Sequence, residues 1–235
     1  MTISFSQMCL QMKQDNILLI MAFVPFIIGI VFRFIIPVVE DLLTDYFGMV
    51  AILTPYYELF DLFLIIVTPA MLNFVVAMVM LEEADDHITA YLAVTPLGKA
   101  GYLLSRLGIT GLISFLISIL VASLFQLSHL DFLMMSGLAL AGSVQGIVIA
   151  LLIFALSKNK VEGLAIGKMT TLFNLGILAP YFVVGKVRYF VSVLPTYWMA
   201  TAMKTSDYFS LLLSILLSLL WIAFLSRRFM KKTLG

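Results

Sequence analysis

With 235 residues, 63% of them hydrophobic and only 11% charged, and a mean hydropathy of +1.13, the chain has too much apolar surface for a water-soluble domain. The net charge is +1, and the basic residues are scattered in short stretches between apolar runs, a topology signal rather than a phosphate-binding patch. The single cysteine, Cys9, leaves no internal disulfide and reads as an inert small apolar residue.

Residues 1–16 can form an imperfect amphipathic helix through Ile3, Phe5, Met8, Leu10 and Met12, lying along a membrane surface. No small-residue cleavage site ends the apolar run that follows, so that run is expected to stay as a membrane span. A span needs roughly 20 apolar residues to cross ~30 Å of hydrocarbon, because only a helix satisfies its own backbone there. Six segments reach that length: 17–38, 62–81, 107–127, 132–157, 164–185 and 208–226. The expected fold is therefore all-α, a single transmembrane domain over 1–235 that crosses the bilayer about six times.

Lys13, Lys99, Arg106, Lys158, Lys160, Lys168, Arg227, Arg228, Lys231 and Lys232 fall on one side of these spans. Only Arg33, Lys186, Arg188 and Lys204 fall on the other. By the positive-inside rule the richer side, with both termini, is cytoplasmic. The connection Lys186 to Asp207 is too apolar for a free outer loop and is expected to dip back as short helices broken at Pro195.

The largest cytoplasmic connection starts with Glu82, Glu83, Asp85 and Asp86, followed by Ile88, Tyr91 and Leu92 on one helical face. Acids in a first turn suit the positive end of the helix dipole, and Pro96 stops the helix. The product is a short amphipathic helix lying along the inner surface between spans two and three.

This run resembles the signature of the type 2 permeases of ATP-binding-cassette exporters: an acidic start, a threonine, an apolar pair, then Thr-Pro-Leu and a basic residue. The matching positions are Glu82, Glu83, Asp86, Thr89, Tyr91, Leu92, Thr95, Pro96, Leu97 and Arg106. Where that family often has glycine after the acids, this chain has His87-Ile88-Thr89. The six spans and the segment Leu194-Pro195-Thr196-Tyr197-Trp198 are similar to the same plan.

The resemblance implies a coupling helix seated in a separate cytoplasmic ATPase. Ile88, Tyr91 and Leu92 would fill its groove, with Glu82, Glu83 and Asp86 at the rim and His87, Thr95, Pro96 and Leu97 completing the contact. It implies a multi-pass permease of the cell membrane, bacterial inner or plasma, that exports a hydrophobic or amphipathic substrate such as a drug or peptide. The chain has no Gly-x-x-x-x-Gly-Lys-Ser/Thr stretch, so ATP and Mg would be bound by the partner ATPase and this chain would not itself be an enzyme. One such subunit is half a membrane unit, which implies a homodimer or a heterodimer with a related permease.

Arg33 and Asp61 are expected to form an intramembrane ion pair near the outer face. Asn73, Gln145 and Asn174 are candidates for a substrate path, with interhelical hydrogen bonding as the commoner use of such amides. Gly142 with Gly146, and Gly163 with Gly167, have the spacing for close helix approach. The two histidines, His87 and His129, fall on opposite sides, so no metal site is expected. An ion-gradient transporter is the alternative reading, disfavoured by the lack of midplane ionisable groups. A membrane-embedded enzyme ranks last for want of a nucleophile or metal constellation.

Overall fold

A computed structural model describes residues 15–86, 98–183, 185 and 188–232. The elements are α1 (Asn16–Phe47), α2 (Tyr57–Asp85), α3 (Gly98–Leu103), α4 (Ile109–Phe125), α5 (Phe132–Leu156), α6 (Lys160–Asn174), α7 (Ala179–Phe182), α8 (Arg188–Val191), α9 (Pro195–Thr205) and α10 (Tyr208–Lys232). A 3-10 turn, Thr54–Tyr56, leads into α2, a π segment, Leu104–Gly108, joins α3 to α4, and a 3-10 segment, Leu175–Leu178, joins α6 to α7. No strand occurs among the described residues. The protein is thus an all-α multi-pass membrane protein. Asn16–Phe47, Thr54–Asp85, Gly101–Phe125, Phe132–Leu156 and Tyr208–Arg227 are long and apolar enough to cross a bilayer.

α2 and α5 form the centre, packed on each other along their lengths, with α4, α10 and α6 around them. Large apolar side chains point outward, as expected where lipid is the solvent: Leu112, Leu116, Leu120 and Leu124 on α4 are exposed. The opposite face of α4 is a stripe of small and hydroxyl residues, Thr110, Gly111, Ser114, Ser118 and Ala122, buried against α2 and α5. One of these hydroxyls repairs a proline. Pro69 inside α2 has no N–H to offer the carbonyl of Ile65 four residues back, and Ser118 Oγ donates to that oxygen instead at 2.9 Å.

The expected span ends were too short at several points. α1 runs on to Phe47 and stops at Gly48, whose φ of 61° is the left-handed conformation that glycine adopts freely. The reason is Glu40, which lies inside this helix, beyond the expected end at residue 38. It is folded inward, and its carboxylate accepts from Ile52 N, Leu53 N and Thr54 N at 2.9, 2.6 and 3.3 Å and from Thr54 Oγ1 at 2.7 Å. It caps the start of the next helix from a distance.

The segment expected as the fifth span is not one α-helix. It is α6, a 3-10 turn and α7 in succession. Pro180 removes a donor and crowds the carbonyl of the turn before it, and the chain tightens to 3-10. Gly176 lies against Thr196 and Tyr197, where a β-carbon would have no room. Thr196 Oγ1 donates to Phe173 O at 2.7 Å, so α9 is docked at this break. α8 and α9 are the expected short helices after residue 185, with Pro195 opening α9. Met199, Ala200, Ala202 and Met203 of α9 are buried among residues of α2 and α5.

Candidate functional site

The end of the bundle that carries residues 82–106 is held by a buried ion pair. Glu83, in the last turn of α2, and Arg106, in the π segment before α4, are each 1% exposed. Arg106 Nη2 donates to Glu83 Oε1, and Arg106 Nε donates to Glu83 Oε2 at 3.1 Å, the two-pronged geometry that a guanidinium fork offers a carboxylate. Tyr102 OH donates to Glu83 Oε2 at 2.7 Å, and the Arg106 guanidinium lies 5.6 Å from the Tyr102 ring centre. Two charges taken this far from water must be paired, and removing either one would strand the other. The π segment has a wider turn than an α-helix, and Thr110 Oγ1, in the first turn of α4, donates to Arg106 O within it at 2.6 Å. α2 and the root of α4 are therefore clamped together at the two flanks of residues 87–97.

Glu83 thus does not stand at an outer rim, as expected from sequence. It faces inward because it has a cation to neutralise. Glu82 and Asp85 turn to another basic residue. Lys160 Nζ donates to Glu82 Oε2 at 2.9 Å and to Asp15 Oδ2 at 2.8 Å, while Lys160 N donates to Asp85 Oδ2 at 3.1 Å. Asp86 caps the C-terminus of α2 with its N–H on Glu82 O and is exposed. His87, Ile88, Tyr91, Leu92, Thr95, Pro96 and Leu97 lie outside the described residues.

Hydrogen bonding to Lys160 holds the Asp15 carboxyl below its ordinary value, helped by the Leu18 and Ile17 amides, against a smaller opposing effect of burial. Burial acts to lower Lys160, but the hydrogen bonds and charges of Asp15 and Glu82 outweigh it and raise the ammonium above its ordinary value.

The three amides have different surroundings. Asn73 Nδ2 donates to Pro69 O at 2.9 Å and lies 3.5 Å from Ser114 Oγ, which is 3.3 Å from Ser143 Oγ. Gly146 passes so close that a β-carbon there would meet Asn73 Nδ2 and Pro69 O. Asn73 thus bonds chiefly within α2 and reaches α4 only at the Ser114 hydroxyl, and its Oδ1 has no hydrogen bond among the described residues. Among the described residues, fully buried Gln145 has neither amide atom bonded, and buried Asn174 has Oδ1 unbonded. Asn174 lines a cleft of about 350 Å³ with Ile28 of α1, Phe63, Val67 and Met71 of α2, and Thr171 of α6. The lining is almost wholly apolar, with Thr171 and Asn174 as its polar members. An apolar pocket with one or two placed polar groups is the usual form of a drug-sized site.

At the other end, Arg33 and Asp61 meet the same turn rather than each other. Arg33 Nη1 donates to Gln126 O at 2.9 Å. Asp61, 2% exposed, accepts from Leu127 N and Ser128 N, both at 2.7 Å, and from Ser128 Oγ at 2.5 Å. The expected direct pair is replaced by backbone caps, because residues 126–128 bring unpaired amides and a carbonyl between them. Arg188 donates to Tyr197 OH at 2.5 Å and Lys204 Nζ to Pro180 O at 2.8 Å, which ties the segments around α9 together. Among the described residues no group of three or more histidine, cysteine, aspartate or glutamate side chains gathers.

Neither Tyr102 nor Lys160 stands out in the sequence as a site residue. A signal existed for Tyr102, four residues before Arg106 and so on the same helical face. Lys160 gave none beyond its charge.

A family model described as fluoroquinolones export permease protein Rv2686c-like matches residues 9–226. No curated protein and no solved structure matches the chain.

Proposed function

This chain belongs to the Rv2686c-like family of fluoroquinolone export permeases, and from that premise we propose that it is the transmembrane subunit of an ATP-binding-cassette exporter driven by a separate ATPase. Residues 82–106 face the cytoplasm, and the 87–97 segment is the lever on which the ATPase, carrying ATP and Mg, bears. The observation that carries this reading is the Glu83–Arg106–Tyr102 clamp. A force applied between residues 86 and 98 reaches α2 and α4 as one body, because the flanks of the segment are joined by a buried, two-pronged ion pair. A polar turn with only a connecting role has no need of such a joint. Both termini lie on the same side, and two such subunits, alike or related, complete the membrane part.

The substrate is a planar amphipathic drug of the fluoroquinolone class, held in the cleft between α1, α2 and α6. The cleft volume of about 350 Å³ suits one such molecule, with Phe63, Val67 and Met71 against its rings and Asn174 as the polar contact. Asn174 and Thr171 are the polar groups in an otherwise apolar lining, which supports this role.

The test is reconstitution of the protein with its co-purified ATPase in liposomes, following a fluoroquinolone by its own fluorescence. ATP-dependent movement is expected, reduced severalfold by Asn174→Leu or Thr171→Phe with the ATPase still bound. Movement driven by an ion gradient without ATP would overturn the reading.

A further inference from the structure

α1 and α6 form facing walls of the cleft, with α2 behind them, and both pack on α2 but hardly on each other. One side chain joins all three at the end opposite residues 126–128. Lys160 is the first residue of α6, Asp15 is the N-cap of α1, and Glu82 lies in the last turn of α2. The Nζ of Lys160 bridges the two carboxylates at 2.8 and 2.9 Å. The local chemistry does not favour a lysine there on α6's own account: the N-terminus of a helix is its positive end, where a cation is unwelcome. Asn159 already caps α6 through Glu162 N at 2.8 Å. The cation is held in place by the carboxylates of the other two helices.

The two joints at this end differ in kind. Glu83 and Arg106 are sealed from water, whereas the Lys160, Asp15 and Glu82 side chains are 29%, 27% and 42% exposed. A buried two-pronged pair resists separation, and a half-exposed single-pronged pair exchanges readily with water. When α2 and α4 move as a body, the joint that can open is the one at Lys160.

We infer that Lys160 is a strut that sets the separation of the α1 and α6 walls of the cleft, and that its release from Asp15 and Glu82 lets α6 swing away from α1 during transport. It is a positioning residue: it acts through the helices and has no contact with the substrate. The inference rests on the cleft being the substrate site, but its first test does not.

Spin labels are placed at Ile20 on α1 and Val161 on α6, both exposed, in a background with Cys9→Ser, and their separation is measured in the protein reconstituted alone. Lys160→Met is expected to lengthen and broaden the distance by several ångströms. Lys160→Arg is expected to restore it. Asp15→Asn, the milder change should Lys160→Met fold poorly, is expected to give part of the same shift. A Lys160→Met or Asp15→Asn distance equal to that of the unchanged protein overturns the strut.

The second test uses the ATPase complex. Lys160→Met is expected to lower drug moved per ATP hydrolysed severalfold while hydrolysis continues, with Lys160→Arg close to normal. A parallel loss of transport and hydrolysis would mark Lys160 as merely structural and overturn the inference. Failure of the unchanged complex to move drug with ATP would instead count against the proposed function, and the distance measurement would still decide the strut.

Discussion

Replacing Arg106 by methionine leaves the Glu83 carboxylate at 1% exposure without its counter-ion. The bond from Tyr102 OH at 2.7 Å would still hold it. Stranding one member of a buried ion pair costs about 3–5 kcal/mol. For a protein of this size that corresponds to a fall of roughly 6–20 °C in Tm, at about 2–4 °C per kcal/mol. The double change Glu83→Leu with Arg106→Met removes both charges and their desolvation together. It is expected to recover to within about 1–2 kcal/mol of the unchanged protein, the residue being the lost acceptor of Tyr102. The assay is thermal unfolding in detergent micelles followed by tryptophan fluorescence, run as a double-mutant cycle. Two outcomes would refute the reasoning. One is a single variant no less stable than the double. The other is a double variant as damaged as the sum of the singles, which would mean that the two side chains act by packing and not as a charge pair.

Gly146→Ala is expected to cost about 1–3 kcal/mol in the same unfolding assay, because the new β-carbon would lie 2.7 Å from Asn73 Nδ2 and 2.8 Å from Pro69 O, and backbone cannot move aside. Gly108→Ala meets only the end of the Leu104 side chain, at 2.9 Å, and is expected to stay within about 1 kcal/mol. The strut has a defined pH window. Asp15, lowered from 3.8, contributes above that value and is lost as pH falls through its folded pKa. Lys160, raised from 10.5, contributes below that value and is lost as pH rises through its folded pKa. With Asp85 and Glu162 accepting from the amides of Lys160 and Lys158, the α1 to α6 distance is expected to be constant from about pH 5 to 9. It is expected to lengthen with added salt, which screens the exposed pair. A distance that changes across neutral pH, or ignores salt, would contradict the charge pairing.

The helices were legible because a span of apolar residues in lipid has few alternatives, and α5 was anticipated to within a residue at its end. The ends of α1 and α2 were not, since an acid such as Glu40 looks the same whether it starts a loop or reaches back to cap the next helix. Which of four adjacent acids turns inward also could not be read. Glu83 differs from Glu82 by about 100° around α2, and only the position of Arg106 decides between them. The break in the α6 to α7 run had signals in Gly176 and Pro180, but apolar length alone concealed them. Asn174 was picked out for being polar within an apolar run, and the cleft gives it a place in the fold. The pairing of Lys160 with Asp15 joins residues 145 apart in sequence, and no local pattern marks it.

In the proposed exporter an ATPase bears on the 87–97 segment. A photo-crosslinking amino acid at Tyr91, activated in native membranes, tests it most directly. The expected adduct joins this chain to a nucleotide-binding subunit, and Leu92→Asp in the same chain abolishes it. An adduct with no such subunit, or reaction of position 91 with a membrane-impermeant reagent applied from outside the cell, would contradict the claim.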